Sequence, residues 1–243
     1  MNIGLMDSGI GGITLLKEII KIIPNYHYIY YGDSINNPYG EKDEEEIFRL
    51  STKIVDFLID KGCKIIVIAC NTITTTCIDK LRKTYLEIIF IGTYPPIKVA
   101  LDNNYKNILV MGTTNTLKSD KFLNIIRENN KNNNNVYLLP CPNLASMIEE
   151  NSPLIDDYLF HNLDEFKEKN IDAIVLGCTH YPLIKNNIKK IFDVLFLDSS
   201  EGIIKQLLNR IKELNILSDD YELELYNSDI NKINKCYDLL NER

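Results

Sequence analysis

Two cysteines lie in near-copies of one another, Ile66-Val67-Ile68-Ala69-Cys70-Asn71-Thr72 and Ile174-Val175-Leu176-Gly177-Cys178-Thr179-His180. In each, an apolar, β-branched run ends in a small residue, a thiol and polar residues. That is the pattern of a buried parallel strand presenting a cysteine at its carboxyl end, the end at which open α/β sheets take their ligands. Two thiols from two related halves put one on each face of a single substrate, an arrangement suited to moving a proton from one face of a carbon to the other. A helix beginning just after each cysteine favours thiolate and is expected to bring its pKa below the free value of about 8.5. His180, two residues beyond Cys178, can give or take a proton on that side, and Asp7 can do so beside Cys70. Cys63, Cys77, Cys141 and Cys236 read as small buried hydrophobes.

Three further loops offer polar groups. The run Gly4-Leu5-Met6-Asp7-Ser8-Gly9-Ile10-Gly11-Gly12 takes an apolar strand into a carboxylate, a hydroxyl and turn-forming glycines. Its backbone N–H groups at the start of a helix from Ile13 suit a carboxylate or phosphate, and Asp7 or Ser8 acting only as a helix cap is the alternative. Its glycine spacing is not that of a dinucleotide-binding loop. Gly32 to Gly40 ends in Pro38-Tyr39-Gly40, a rigid turn with an aromatic wall. Gly112-Thr113-Thr114-Asn115-Thr116 lines up with the Asp7 loop and suits an anion or, equally, a helix cap.

The elements that must position these groups alternate between short apolar strands and longer amphipathic segments. Strands are expected at Ile3–Met6, His27–Tyr31, Ile65–Ala69, Ile88–Ile91, Ile108–Met111, Val136–Leu139, Ala173–Leu176 and Val194–Leu197, with helices between them, which signals mostly parallel sheets flanked by helices. The first four strands precede the last four by 105 to 109 residues, so the chain reads as two α/β domains of similar topology. The first covers 1–95 and returns at about 206–243, and the second covers 96–205. Tyr94-Pro95-Pro96 marks the crossing. The segment after about Gly202 is helical in pattern, and Lys131 with Asn132 to Asn135 reads as a surface loop.

Composition removes several classes. At 243 residues with 45% apolar content the chain can bury a real core. Lys and Arg number 27 against 34 Asp and Glu, and the net charge of −7 with a pI near 5.1 argues against nucleic acid as a partner. No Cys-x-x-Cys occurs and neither His27 nor His161 is grouped with cysteines, so no metal is expected and a disulfide framework is unsupported. The start at Met1 lacks the order of a secretory signal, and no uncharged 18-residue apolar run follows, which points away from the membrane and toward a cytoplasmic chain with reduced thiols.

Taken together, Asp7-Ser8-Gly9 with Gly11-Gly12, Pro38-Tyr39-Gly40, Cys70-Asn71-Thr72, Gly112-Thr113, Cys141-Pro142 and Gly177-Cys178-Thr179-His180-Tyr181-Pro182-Leu183 resemble the glutamate racemases of the aspartate/glutamate racemase family, in that family's order. The resemblance implies two pseudo-symmetric α/β domains with the site in the cleft between them, a homodimer, and cofactor-independent racemisation of glutamate supplying peptidoglycan synthesis. It further implies Cys178 as the base toward L-glutamate with His180 assisting, and Cys70 toward D-glutamate with Asp7 assisting. Asp7, Ser8, Pro38, Tyr39, Gly40, Asn71, Thr72, Thr113, Thr116, Thr179 and His180 match the substrate contacts. This chain departs from the pattern at Asn36-Asn37, at Ile73-Thr74-Thr75 and at Asn115, where Gly is usual, and these departures bear on substrate preference and regulation. Aspartate racemisation, alone or alongside glutamate, is the nearest alternative, although relatives of that kind usually carry Glu at the position of His180. A two-domain amino-acid-binding protein would use the same cleft without needing two thiols. A thiol oxidoreductase is disfavoured by the 108 residues between Cys70 and Cys178.

Overall fold

The computed structural model describes residues 2–103, 105–215, 218 and 220–242; Met1, with which the amino-terminal reading began, lies outside them. In the first part of the chain β1 (Asn2–Asp7), α1 (Gly12–Ile22), β2 (His27–Gly32), α2 (Glu44–Asp60), β3 (Cys63–Ile68), α3 (Asn71–Thr84) and β4 (Ile89–Gly92) alternate. After α4 (Ile97–Asp102) come β5 (Asn107–Gly112), α5 (Thr114–Lys118), α6 (Asp120–Asn129), β6 (Asn135–Pro140), α7 (Leu144–Glu149), α8 (Ile155–Leu163), β7 (Ala173–Gly177), α9 (Lys185–Lys189) and β8 (Leu195–Leu197). The chain closes with α10 (Ser200–Glu213), β9 (Glu222–Asn227) and α11 (Ile233–Asn241).

Two sheets result, β4-β3-β1-β2-β9 and β6-β5-β7-β8, with every pairing parallel. Taken from its other edge the second sheet runs β8-β7-β5-β6, so each of its strands holds the place taken in the first sheet by the strand four earlier. The two-fold pattern in the sequence is therefore a repeat of topology.

Both faces of each sheet are covered, which is why the strands read as continuous apolar runs. Within β1, Ile3 and Leu5 enter a core shared with α1, α10 and α11, while Met6 points the other way into a core with α2 and α3. In β5, Leu109 and Met111 face α7 and α8, and Ile108 and Val110 face α4 and α6. Full burial of Ile66, Val67 and Ile68 contributes roughly 1.5–3 kcal/mol each relative to exposure. These apolar anchors fix the strand whose end carries Cys70.

Three expectations are corrected. The segment after Gly202 is not helical throughout: α10 begins at Ser200, and a ninth strand, β9, pairs with β2. It is an edge strand with Glu222 and Glu224 on one face and Leu223 and Leu225 on the other, an alternation masked by the helical segments around it. Asn135, expected in a loop, starts β6 opposite Asn107. Ala69 lies beyond β3, which ends at Ile68. Among the described residues, no helix is long and apolar enough to cross a membrane.

Candidate active site

The chemistry gathers where strands end. Asp7 is the last residue of β1, Cys70 follows β3 by two residues, Thr113 follows β5 and Cys178 follows β7. The carboxyl ends of both sheets turn toward one small cavity of about 10 Å³, lined by Ser8, Asn37, Pro38, Tyr39, Gly40, Cys70, Asn71, Thr72, Thr113, Ala145, Cys178 and Thr179. That volume holds no more than about one water, so the cleft is closed around its two thiols. A groove of about 740 Å³ lies elsewhere, against Lys17, Ile204, Leu208 and Leu239, and has neither thiol in its wall. Size does not mark the site here; convergence of reactive groups does.

On one side, Cys178 Sγ is 3.7 Å from His180 Nδ1. The other ring nitrogen, Nε2, is 2.8 Å from Glu149 Oε1, which also accepts the backbone N–H of Ile10 at 2.7 Å. His180 is fully buried. Burial alone favours the neutral ring, but the acceptors Cys178 and Glu149 outweigh it and hold the His180 pKa well above the ordinary value. Glu149 is likewise buried, yet the hydrogen bond and charge of His180 keep its carboxyl low. The backbone passes close enough that a Cβ on Gly11 would lie 2.7 Å from both the amide nitrogen and Nδ1 of His180. Only glycine permits this approach.

On the other side, Cys70 is the N-cap of α3 and its thiol donates to Ser8 Oγ at 3.5 Å. Its pKa is pushed up to about 12, first by burial and then by the negative charge of Asp7. The expected lowering by the helix N-terminus is thus overturned for Cys70, because desolvation of a thiolate outweighs the dipole. Asp7 accepts the N–H of Gly12 at 3.0 Å and the hydroxyl of Thr179 at 3.2 Å. It is therefore both a partner of the α1 terminus and a buried acid facing the site. Burial raises its pKa to about 6 against the opposing influence of His180 and Gly12.

The walls are tied across the two sheets. Thr72 and Thr113 hydroxyls lie 2.9 Å apart, and Thr113 donates to Thr116 at 2.9 Å. The Tyr39 hydroxyl donates to Asp33 Oδ2 at 2.6 Å. Asn115 Nδ2 reaches back to the Lys42 carbonyl at 2.7 Å and that of Tyr39 at 3.4 Å. The buried Oδ1 atoms of Asn37 and Asn71 have no protein partner; both residues line the cavity, where these oxygens suit an ammonium group.

Of the residues singled out in the sequence, Ser8, Pro38, Tyr39, Gly40, Cys70, Asn71, Thr72, Thr113, Cys178 and Thr179 form the cavity wall. Asp7, Thr116 and His180 stand immediately behind it. Glu149 and Asp33 were missed, and Asn37 was named only as a departure from the family pattern. Glu149 ends the short helix α7 with no motif around it, and only its burial beside His180 reveals it. Asn37 stood in the Pro38-Tyr39-Gly40 loop and was readable by adjacency. Among the described residues, a grouping with metal-ligand spacing lies away from the cleft: His27, Glu222 and Glu224 bring ligand atoms within 4.8 Å of one another. There Glu224 is already engaged by Lys61 and Tyr226.

The sequence matches the Asp/Glu/Hydantoin racemase family over residues 3–207. A glutamate racemase of Clostridium kluyveri is 41% identical over 236 residues, spanning 93% of this chain and 91% of the relative. In three dimensions the chain is similar to a glutamate racemase of Francisella tularensis crystallised with D-glutamate, at 34% identity and a TM-score of 0.86, covering 100% of this chain and 94% of that one. The glutamate racemase of Aquifex pyrophilus is 35% identical with a TM-score of 0.79, over 100% of this chain and 96% of the other.

Proposed function

The chain belongs to the Asp/Glu/Hydantoin racemase family, and from that premise we propose that Cys70 and Cys178 act as two bases on opposite faces of the α-carbon of glutamate. The activity is glutamate racemisation, interconverting the L and D forms, and its D-glutamate serves peptidoglycan synthesis. The observation that carries the two-base mechanism is that both thiols line one closed cavity, each with its own distinct polar partner.

From L-glutamate, the thiolate of Cys178 takes the α-proton and Cys70, held protonated by its raised pKa, delivers its own proton to the opposite face. The products are D-glutamate, a Cys178 thiol and a Cys70 thiolate; from D-glutamate the roles reverse. His180 with a proton on each ring nitrogen supports the Cys178 thiolate through Nδ1, while Glu149 holds the far side of the ring. Ser8, with Asp7 behind it, serves the Cys70 side. The carbanion between the two transfers is stabilised by the excluded water and the fixed dipoles of the closed cleft. Once the cleft, too small for glutamate as it stands, has opened to admit it, Asn71, Thr72, Thr113, Thr179 and the Tyr39-Gly40 turn bind the ammonium and carboxylates, with Thr116 supporting Thr113.

The further expectations stand as proposals on the same kinship: a cytoplasmic homodimer, and domains at 1–95 with 206–243 and at 96–205. Optical rotation of purified protein with L-glutamate or L-aspartate, under thiol reductant and without added cofactor, tests the substrate. Decay of rotation with glutamate alone supports the reading, and decay with aspartate alone overturns it. Loss of neither signal in folded, reduced protein leaves the amino-acid-binding reading.

A further inference from the structure

We infer that Lys232 and Lys235 are positioning residues for proton transfer at Cys178, holding Glu149, and through it His180, from the far end of the chain. This rests on the racemase reading above. Glu149 is the last residue of α7 and faces two ways. Its carboxylate meets Ile10 N–H at 2.7 Å and His180 Nε2 at 2.8 Å. Its backbone carbonyl accepts from Lys235 Nζ at 2.7 Å and from Lys232 Nζ at 3.0 Å. Lys235 also donates to Asn151 Oδ1 at 2.8 Å and to the Ile148 carbonyl at 3.3 Å.

The last carbonyls of a helix lack intrahelical partners, and cations are favoured there. Two ammonium groups on one carbonyl go beyond a surface cap. Lys235 is half-buried, and that burial, with the neighbouring charge of Lys232, holds its pKa down. Its ammonium N–H groups nevertheless meet three acceptors. Both lysines come from the turn and helix that close the chain, and Cys236 beside them is buried in the core of the first sheet. The path therefore runs from a helix anchored on the first sheet, across to the end of α7 over the second sheet, and back through the Glu149 carboxylate to the ring beside Cys178. A shift of about 1 Å in such a group can cost up to about 100-fold in rate.

The test is racemisation by Lys235→Met, Lys232→Met and Lys235→Arg, with α-deuterium isotope effects measured from each enantiomer. Because the enantiomers are equal in energy, kcat/KM must fall equally in both directions, and Lys235→Met is expected to lower it roughly tenfold. The isotope effects carry the asymmetry. From L-glutamate, where Cys178 removes the proton, the effect should rise; from D-glutamate, where Cys178 acts second, it should shrink. Lys235→Arg should restore both. A merely structural role would lower rates without splitting the two isotope effects, and that outcome, like an unchanged rate, overturns the inference. Should Lys235→Met fail to fold by circular dichroism, Lys232→Met is judged by the same split. A wild-type protein that racemises nothing would instead bring down the underlying reading.

Discussion

Cys178 Sγ lies 3.7 Å from His180 Nδ1, while its counterpart Cys70 has a serine hydroxyl for its neighbour. The two thiols occupy equivalent places in two sheets of matching strand order, yet their partners differ: an imidazole on one side, a hydroxyl on the other with the charge of Asp7 acting on the thiol. The symmetry belongs to the backbone and the asymmetry to the chemistry.

Removing either thiol should stop racemisation. Cys70→Ala and Cys178→Ala are each expected to lose roughly 10²–10⁴-fold in rate, the contribution of a positioned proton-transfer group, with the fold retained by circular dichroism. Either variant racemising at the wild-type rate would defeat the two-base assignment.

Gly11→Ala places a methyl 2.7 Å from the backbone and ring of His180. The neighbour is backbone, so it cannot swing aside. A fall in kcat well beyond the loss in thermal stability is expected, and full activity would mean that the His180 placement is not critical.

Little in the sequence could have announced the groups that hold His180 in place. The strands were legible because parallel strands covered on both faces are nearly continuous apolar runs, and Cys70 and Cys178 were legible because each stands at the end of one. Glu149 was not, since nothing local distinguishes a carboxylate that will be buried against His180 from Glu150 beside it. Strand β9 was hidden because an edge strand keeps charged residues on one face, so its apolar residues alternate instead of forming a continuous run. The raised pKa of Cys70 was missed because the helix terminus can be read locally, whereas desolvation depends on what packs over it.

Asp7 should leave a signature in the pH dependence of stability. Burial raises its folded-state pKa from 3.8 to about 6, so its contribution is fully present below the unfolded value and is lost as pH rises through the folded one. Relative to Asp7→Asn, the wild type should therefore lose stability between about pH 4 and pH 6 and change no further above that window. Denaturant unfolding of both proteins across this range reads the difference; a constant difference would show that folding does not raise the Asp7 pKa.

Asn115 pins the Tyr39 to Lys42 backbone across the cleft. Replacing it with Gly removes chiefly the 2.7 Å bond to the Lys42 carbonyl, worth about 0.5–1.5 kcal/mol, so amide exchange in residues 39–42 should accelerate by roughly 2- to 10-fold. No change in exchange would mean that the threonine contacts alone keep the cleft shut.

The central claim, one base on each face, is tested most directly by turnover of glutamate in D2O at early conversion, with the two enantiomers separated on a chiral column and the α-proton content of each read by proton NMR. Starting from L-glutamate, Cys178 removes the proton and a Cys70 thiol equilibrated with solvent delivers deuterium to the other face. The account predicts D-glutamate deuterated at the α-carbon while the remaining L-glutamate keeps its proton. D-glutamate carrying the original proton, or deuterium entering both enantiomers together, would point to a single base serving both faces and contradict it.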